Sequence, residues 1–148
     1  MGSSLWQGHQ LREMGLRAYC REHAPELRLH DTVLNLETRQ VTYEVVLEML
    51  ETLPDLRGIY IAGGGVEGAV EALRESCTPR QVKLVVHPLT EEIRAALSDE
   101  YITSIISTPV QQLARSLVDE MAKTALGQGV KSRPQRFLKP QILFPEYP

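Results

Sequence analysis

A chain of 148 residues with 43% hydrophobic and 24% charged side chains and a formal net charge of -3 has the size and balance of about one globular domain rather than a disordered segment. It has no basic run with which to grip nucleic acid by phosphate neutralisation, no apolar run approaching a membrane span and no opening secretion signal. Cys20 and Cys77 have neither framework nor metal-ligand spacing, so reduced structural cysteines, no bound metal and a cytoplasmic location are expected.

In chain order, Met1 to Gly8 reads as the end of an element rather than the start of a fold. Leu11, Met14 and Ala18 then recur at helical spacing and predict a helix from near His9 to near Glu22, ending before Pro25. Leu27 to Leu34 alternates as a strand does. Val41 to Leu53 is a second predicted helix, with Val41, Val45 and Met49 on one line, Val46, Leu50 and Leu53 beside it, and Pro54 as its stop. Arg57 to Ala62 follows as a short apolar strand and Gly68 to Cys77 as a helix. Gln81 to His87 is a further strand whose nearly continuous apolar run, Val82, Leu84, Val85 and Val86, suits a parallel strand covered on both faces.

Thr90 is the expected cap of the next helix, with Glu91 and Glu92 in its first turn and Ile93, Ala96 and Leu97 on its apolar side. Tyr101 to Ser107 reads as strand. Thr108, Pro109 and Gln111 then combine an N-cap, a first-turn proline and a capping-box partner. The helix they open carries Val110, Leu113, Leu117 and Met121 and runs to about Leu126, where Gly127 stops it. A last strand lies within Phe137 to Phe144, at an edge because Pro140 interrupts it. Strands alternating with helices at this spacing predict an α/β fold: an open, mostly parallel sheet with helices on both faces, Rossmann-like and three-layered. Ligands of such sheets bind beyond the C-terminal ends of the strands.

Between the strand at Ile59 and the helix at Leu73, Gly63, Gly65 and Gly68 stand in G-x-G-x-x-G spacing. That spacing has two readings, a phosphate cradle at a helix N-terminus or a strand-to-helix turn that needs positive φ and close packing. A dinucleotide site also requires an acid about twenty residues on, at the end of the next strand. That strand ends Val86-His87-Pro88 with no carboxylate, and Glu67 inside the turn would repel a pyrophosphate, so no nucleotide cofactor is expected. His9, His23, His30 and His87 form no H-x-x-x-H pattern, and there is no G-x-S-x-G elbow or obvious carboxylate pair. An enzyme is therefore not expected. Of the histidines only His87 lies at a strand's C-terminal end.

The ordered set Gly2-Ser3-Ser4, Gly8-His9, Arg12 to Leu16, Ile59 to Gly68 and Val85 to Thr90 resembles the effector-binding region of lactose-repressor-type (LacI family) transcriptional regulators, which share the periplasmic sugar-binding-protein fold. The resemblance covers essentially the whole chain. It implies a hinged, two-lobed domain that closes on a small molecule, commonly a sugar or sugar derivative, and so alters attached helix-turn-helix domains that contact operator DNA. On this reading the chain is a C-terminal part of such a domain: residues 1–100 form most of the second lobe, residues 101–127 a strand and helix of the first lobe, and residues 128–148 a returning segment. The helix-turn-helix and most of the first lobe are then absent.

The resemblance also implies site residues. Arg12 matches an arginine that points into the cleft to hold ligand hydroxyls or a carboxylate. Ser4, Trp6 and Gln7 fall in the loop at the cleft edge, where a tryptophan can stack on a sugar face. Gly63 and Gly64 form the cleft floor. Three polar positions common in relatives are lost at Val66, Pro88 and near Ser107, so either the effector is less hydroxylated than a sugar, or other residues such as Glu67, His87, Thr90 and Ser107 contact it, or the site has decayed. The apolar face of the Pro109 to Leu126 helix would lack its usual sheet, and a second copy of the chain, as a homodimer or higher homo-oligomer, is expected to cover it.

Overall fold

The computed structural model describes residues 7–127 and 137–146. Among these, helices α1 (Gln7–His23), α2 (Arg39–Thr52), α3 (Val66–Ser76), α4 (Glu91–Ser98) and α5 (Val110–Ala125) alternate with strands β1 (Gly58–Tyr60), β2 (Lys83–Val86), β3 (Ser104–Ser107) and β4 (Gln141–Leu143). The strands form one open sheet in the order β1-β2-β3-β4, with the first three parallel and β4 antiparallel to β3. This is the expected open, mostly parallel α/β architecture. No helix among the described residues is long and apolar enough to cross a membrane.

Strand register divides the sheet into two unequal faces. Ile59 pairs with Leu84 and Val86 with Ile105, so with Ile61 these side chains share one face. Val46 from α2, Val70 and Leu73 from α3, and Ile93 and Leu97 from α4 seal it into a single core. The opposite face bears Tyr60, Val85 and Ile106, all half-buried, and then Ile142 at 58% exposure. The apolar run of β2 therefore does not mean cover on both faces.

α2 and α3 pack closely because Gly68 has no side chain. A Cβ there would overlap the Arg39 carbonyl oxygen and crowd the Tyr43 backbone nitrogen, so the two helix backbones touch as they do only at glycine. Arg39 adds ion pairs to Glu71 (2.9 Å) and Glu92 (3.2 Å), exposed bonds that contribute little beside the core.

Three expectations change. Leu27 to Leu34 joins no ladder: residues 28–35 are without regular secondary structure, with Leu27, Leu29 and Leu34 exposed. Alternation reports a side-chain pattern, whereas a strand also needs a partner backbone about 4.8 Å away. Second, β2, expected to be covered on both faces, leaves Val85 half-buried, while Ser104–Ser107 is the third strand of the sheet. Third, Pro109 rather than Thr108 is the cap residue of α5 and no side chain caps it, so the capping box does not form. Helix α5 then projects with no buried residue.

Candidate functional site

The glycine turn between β1 and α3 is held from outside by its neighbours. Gly65 has φ +81, and a Cβ on it would overlap the Thr42 hydroxyl. Buried Asn35 donates to the Gly64 carbonyl (2.8 Å) and to Thr42 Oγ1 (2.9 Å), and its own side-chain oxygen accepts from the Glu37 backbone N–H (3.2 Å). Leu36 (φ 50) and Glu37 (φ 58) both lie in the left-handed region, and Thr38 N–H returns to the Asn35 carbonyl at 3.2 Å. Two central residues of positive φ closed by this bond make a type I′ turn, a conformation that disfavours Leu and Glu. The turn carries Glu37 to 3.2 Å from His9 Nδ1 on α1. A Cβ at Gly63 would in turn lie 2.6 Å from the His9 ring. The glycines are therefore packing positions at which α1, the turn before α2 and α2 itself converge.

At the C-terminal ends of β1 and β2 the Tyr60 hydroxyl meets His87 Nε2 at 2.6 Å, with the two rings edge to face. Burial, then the charge of Arg12, push the His87 pKa down to about 4, against a hydrogen bond to the Ile106 backbone that raises it. Burial likewise raises the Tyr60 phenol, and the Arg12 charge partly offsets it. Arg12 reaches from α1 to donate to the Ala62 carbonyl at 2.6 Å, which fixes the guanidinium beside this pair.

These groups open onto a cleft of about 790 Å³. Its floor is Gly63, Gly64, His87, Pro88 and Leu89; His9 and Arg12 from α1 form one wall, and Ser107 with Thr108 the end of β3. The other wall is α5, through Gln111, Gln112, Arg115, Ser116 and Asp119. Those positions recur as a polar helical stripe. The same spacing is visible in the sequence, opposite the apolar stripe of the helix.

The expected site residues thus divide. Arg12, Gly63, Gly64, His87 and Ser107 line the cleft. Glu67 does not: it sits in the first turn of α3, where its charge acts on Arg39. Thr90 does not either, since its hydroxyl accepts from the Ile93 N–H as the α4 cap (3.3 Å). Gln7 is an exposed residue of the first turn of α1, outside the cleft lining. Ser4 and Trp6 lie outside the described residues. Among the described residues no group of three His, Cys, Asp or Glu side chains is placed to hold a metal ion.

Comparison with known proteins agrees with this geometry. Residues 1–129 match the family model described as the periplasmic binding protein domain. No curated protein matches the chain. Among solved structures, a periplasmic sugar-binding protein from Pseudomonas fluorescens is 26% identical over 93% of this chain and 43% of its own, with a TM-score of 0.77. A periplasmic ribose ABC transporter protein from Conexibacter woesei is 18% identical over 98% of this chain and 49% of its own (TM-score 0.83). A solute-binding protein from Agrobacterium vitis, bound with α-D-tagatopyranose, is 15% identical over 93% and 46% (TM-score 0.81). The chain spans about half the length of these structures.

Proposed function

The chain belongs to the periplasmic binding protein domain family, and from that premise we propose that it binds a small polar molecule of the sugar or sugar-derivative class in the cleft at the ends of β1, β2 and β3. The observation that carries this reading is the cleft itself. It opens where ligands of parallel α/β sheets bind, and its walls combine an anchored arginine with uncharged hydrogen-bonding groups, Ser107, Thr108, Gln111 and Gln112. Binding rather than catalysis is the proposed role, in keeping with a family of binding domains. No cofactor is assigned.

In this proposal the chain is the effector-sensing part of a cytoplasmic lactose-repressor-type transcriptional regulator, acting as a homodimer. Residues 7–107 contribute to one lobe and α5 leans toward a second; a domain outside these 148 residues makes the operator DNA contact. A second reading, a periplasmic sugar-binding component of a transporter, is favoured by the printed descriptions of the structures from Conexibacter woesei and Pseudomonas fluorescens. Calorimetric titration with a panel of pentoses, hexoses and their derivatives tests the shared core of both readings: saturable binding supports it, and no heat from any member removes it. Osmotic-shock fractionation of native cells separates the two, since retention with the cytoplasm supports the regulator and release with the periplasm supports the transporter.

A further inference from the structure

Of the residues of α1 only Cys20 is buried, so side-chain tethers rather than an apolar face locate this helix on the body of the fold. Arg12 donates to the Ala62 carbonyl, and further along Arg17 donates to the His30 carbonyl (2.9 Å) and to Thr32 Oγ1 (3.0 Å). At the start of the helix, beside the cleft, the tether is His9 Nδ1 at 3.2 Å from Glu37 Oε1. These two side chains are 17% and 28% exposed, so water screens their contact less than it screens the surface pairs. The His9 ring lies over the Gly63 α-carbon: a Cβ there would meet Cε1, Nδ1 and Nε2 at 2.6, 3.0 and 3.2 Å. One residue on, a Cβ at Gly64 would meet the Glu37 Cβ at 3.1 Å and its Oε2 at 3.5 Å. Each of the two floor glycines is therefore packed against one member of the pair.

Glu37 reaches this place from an unfavourable backbone. Leu36 and Glu37 have φ of 50° and 58°, where glycine or asparagine is usual and a larger side chain is disfavoured. Buried Asn35 holds the turn in that shape through its bonds to the Gly64 carbonyl, Thr42 and the Glu37 N–H. Strain of this kind persists where the surrounding structure over-determines it, and it clusters at ligand clamps. We propose that Glu37 is a positioning residue of the cleft: its carboxylate holds the His9 ring against Gly63, so that the α1 wall and the glycine floor meet as one preformed surface before a small molecule enters. The inference rests on the small-molecule-binding reading above and deepens it. His9 lines the cleft and Glu37 does not, so Glu37 acts through the ring. Fixing the ring beforehand removes side-chain ordering that binding would otherwise require.

The test compares the native chain with Glu37→Gly and Leu36→Gly. Both substitutions relieve a positive φ, so the urea midpoint of each should equal or exceed the native value. By NMR, the native chain and Leu36→Gly should show a nuclear Overhauser contact between the His9 ring and the Gly63 α-protons that Glu37→Gly lacks. Calorimetric titration uses the panel above, with D-ribose, D-glucose, D-galactose and D-tagatose among its members. Glu37→Gly should bind the sugars taken up by the native chain about three- to tenfold more weakly, the affinity equivalent of ordering one side chain, while Leu36→Gly keeps the native affinity. Native affinity in Glu37→Gly, a His9–Gly63 contact that survives that change, a loss that follows a lowered urea midpoint, or an equal loss in Leu36→Gly would each overturn the positioning role and leave the small-molecule reading standing. No heat from any panel member with the native chain would overturn both.

Discussion

Helices α3 and α5 are both amphipathic, yet they end in opposite circumstances. On α3, Ala69, Val70, Ala72 and Leu73 are at most 2% exposed, sealed between the sheet and α2. On α5, Val110, Leu113, Leu117, Val118 and Met121 are all at least 47% exposed, and the polar stripe is the side turned to the cleft. An apolar stripe therefore tells which side of a helix is better off covered, and nothing about which surface covers it. The same distinction separates the two sheet faces: Leu84 is fully buried, while Val85 beside it is half-open.

The sharpest way to break the contrast is at the α2–α3 contact. Gly68→Ala puts a methyl group onto the Arg39 carbonyl and should cost at least about 3 kcal/mol in urea unfolding, the upper range for overpacking. A loss near zero would mean that this glycine is not a packing position. Next in size, Leu73→Ala should cost roughly 2–5 kcal/mol through lost burial and a residual cavity.

Protonating His87 should have a smaller effect. Its folded-state pKa of about 4 lies below the ordinary 6.5, so the unfolded chain binds more protons between those values. Stability should then be level above about pH 6.5 and fall as pH drops toward 4, by about 1–2 kcal/mol once solvent screening of a half-buried ring is allowed for. Urea midpoints for the native chain and His87→Phe at pH 7.5 and 4.5 isolate this contribution; equal pH dependence in both proteins would refute it.

The smallest effect is expected at Leu117→Ala, within about 0.5 kcal/mol at concentrations where the chain is monomeric. Sedimentation sharpens this last comparison. If a second copy covers α5, the native chain should associate at micromolar concentration and Leu117→Glu should not, whereas a monomeric native chain would remove the proposed homodimer.

Much of this molecule was legible from local pattern. Each expected helix is present within a few residues, Thr90 caps α4, and β4 starts immediately after Pro140 as an edge strand. The reason is that propensity, capping and apolar spacing act over a few residues, and backbone geometry repeats them. The glycine segment was legible only in part. Its spacing admitted a phosphate cradle or a tight turn, and the second prevails through Gly65, Gly68 and their neighbours Thr42 and Arg39 on α2.

The site was less legible because its bonds join distant parts of the chain. Arg12 meets Ala62 across 50 positions and Tyr60 meets His87 across 27. Glu67, a plausible cleft acid by position, sits in the first turn of α3 and outside the cleft lining. Sequence alone determined the order of the elements and which side of each is apolar, because those properties are written at periods of two and 3.6 residues. Only the tertiary structure decided that residues 28–35 stay outside the sheet, that β3 joins it, and that the polar side of α5 faces Arg12 across a cleft. Those outcomes depend on which surfaces meet, and local periodicity carries no information about the partner.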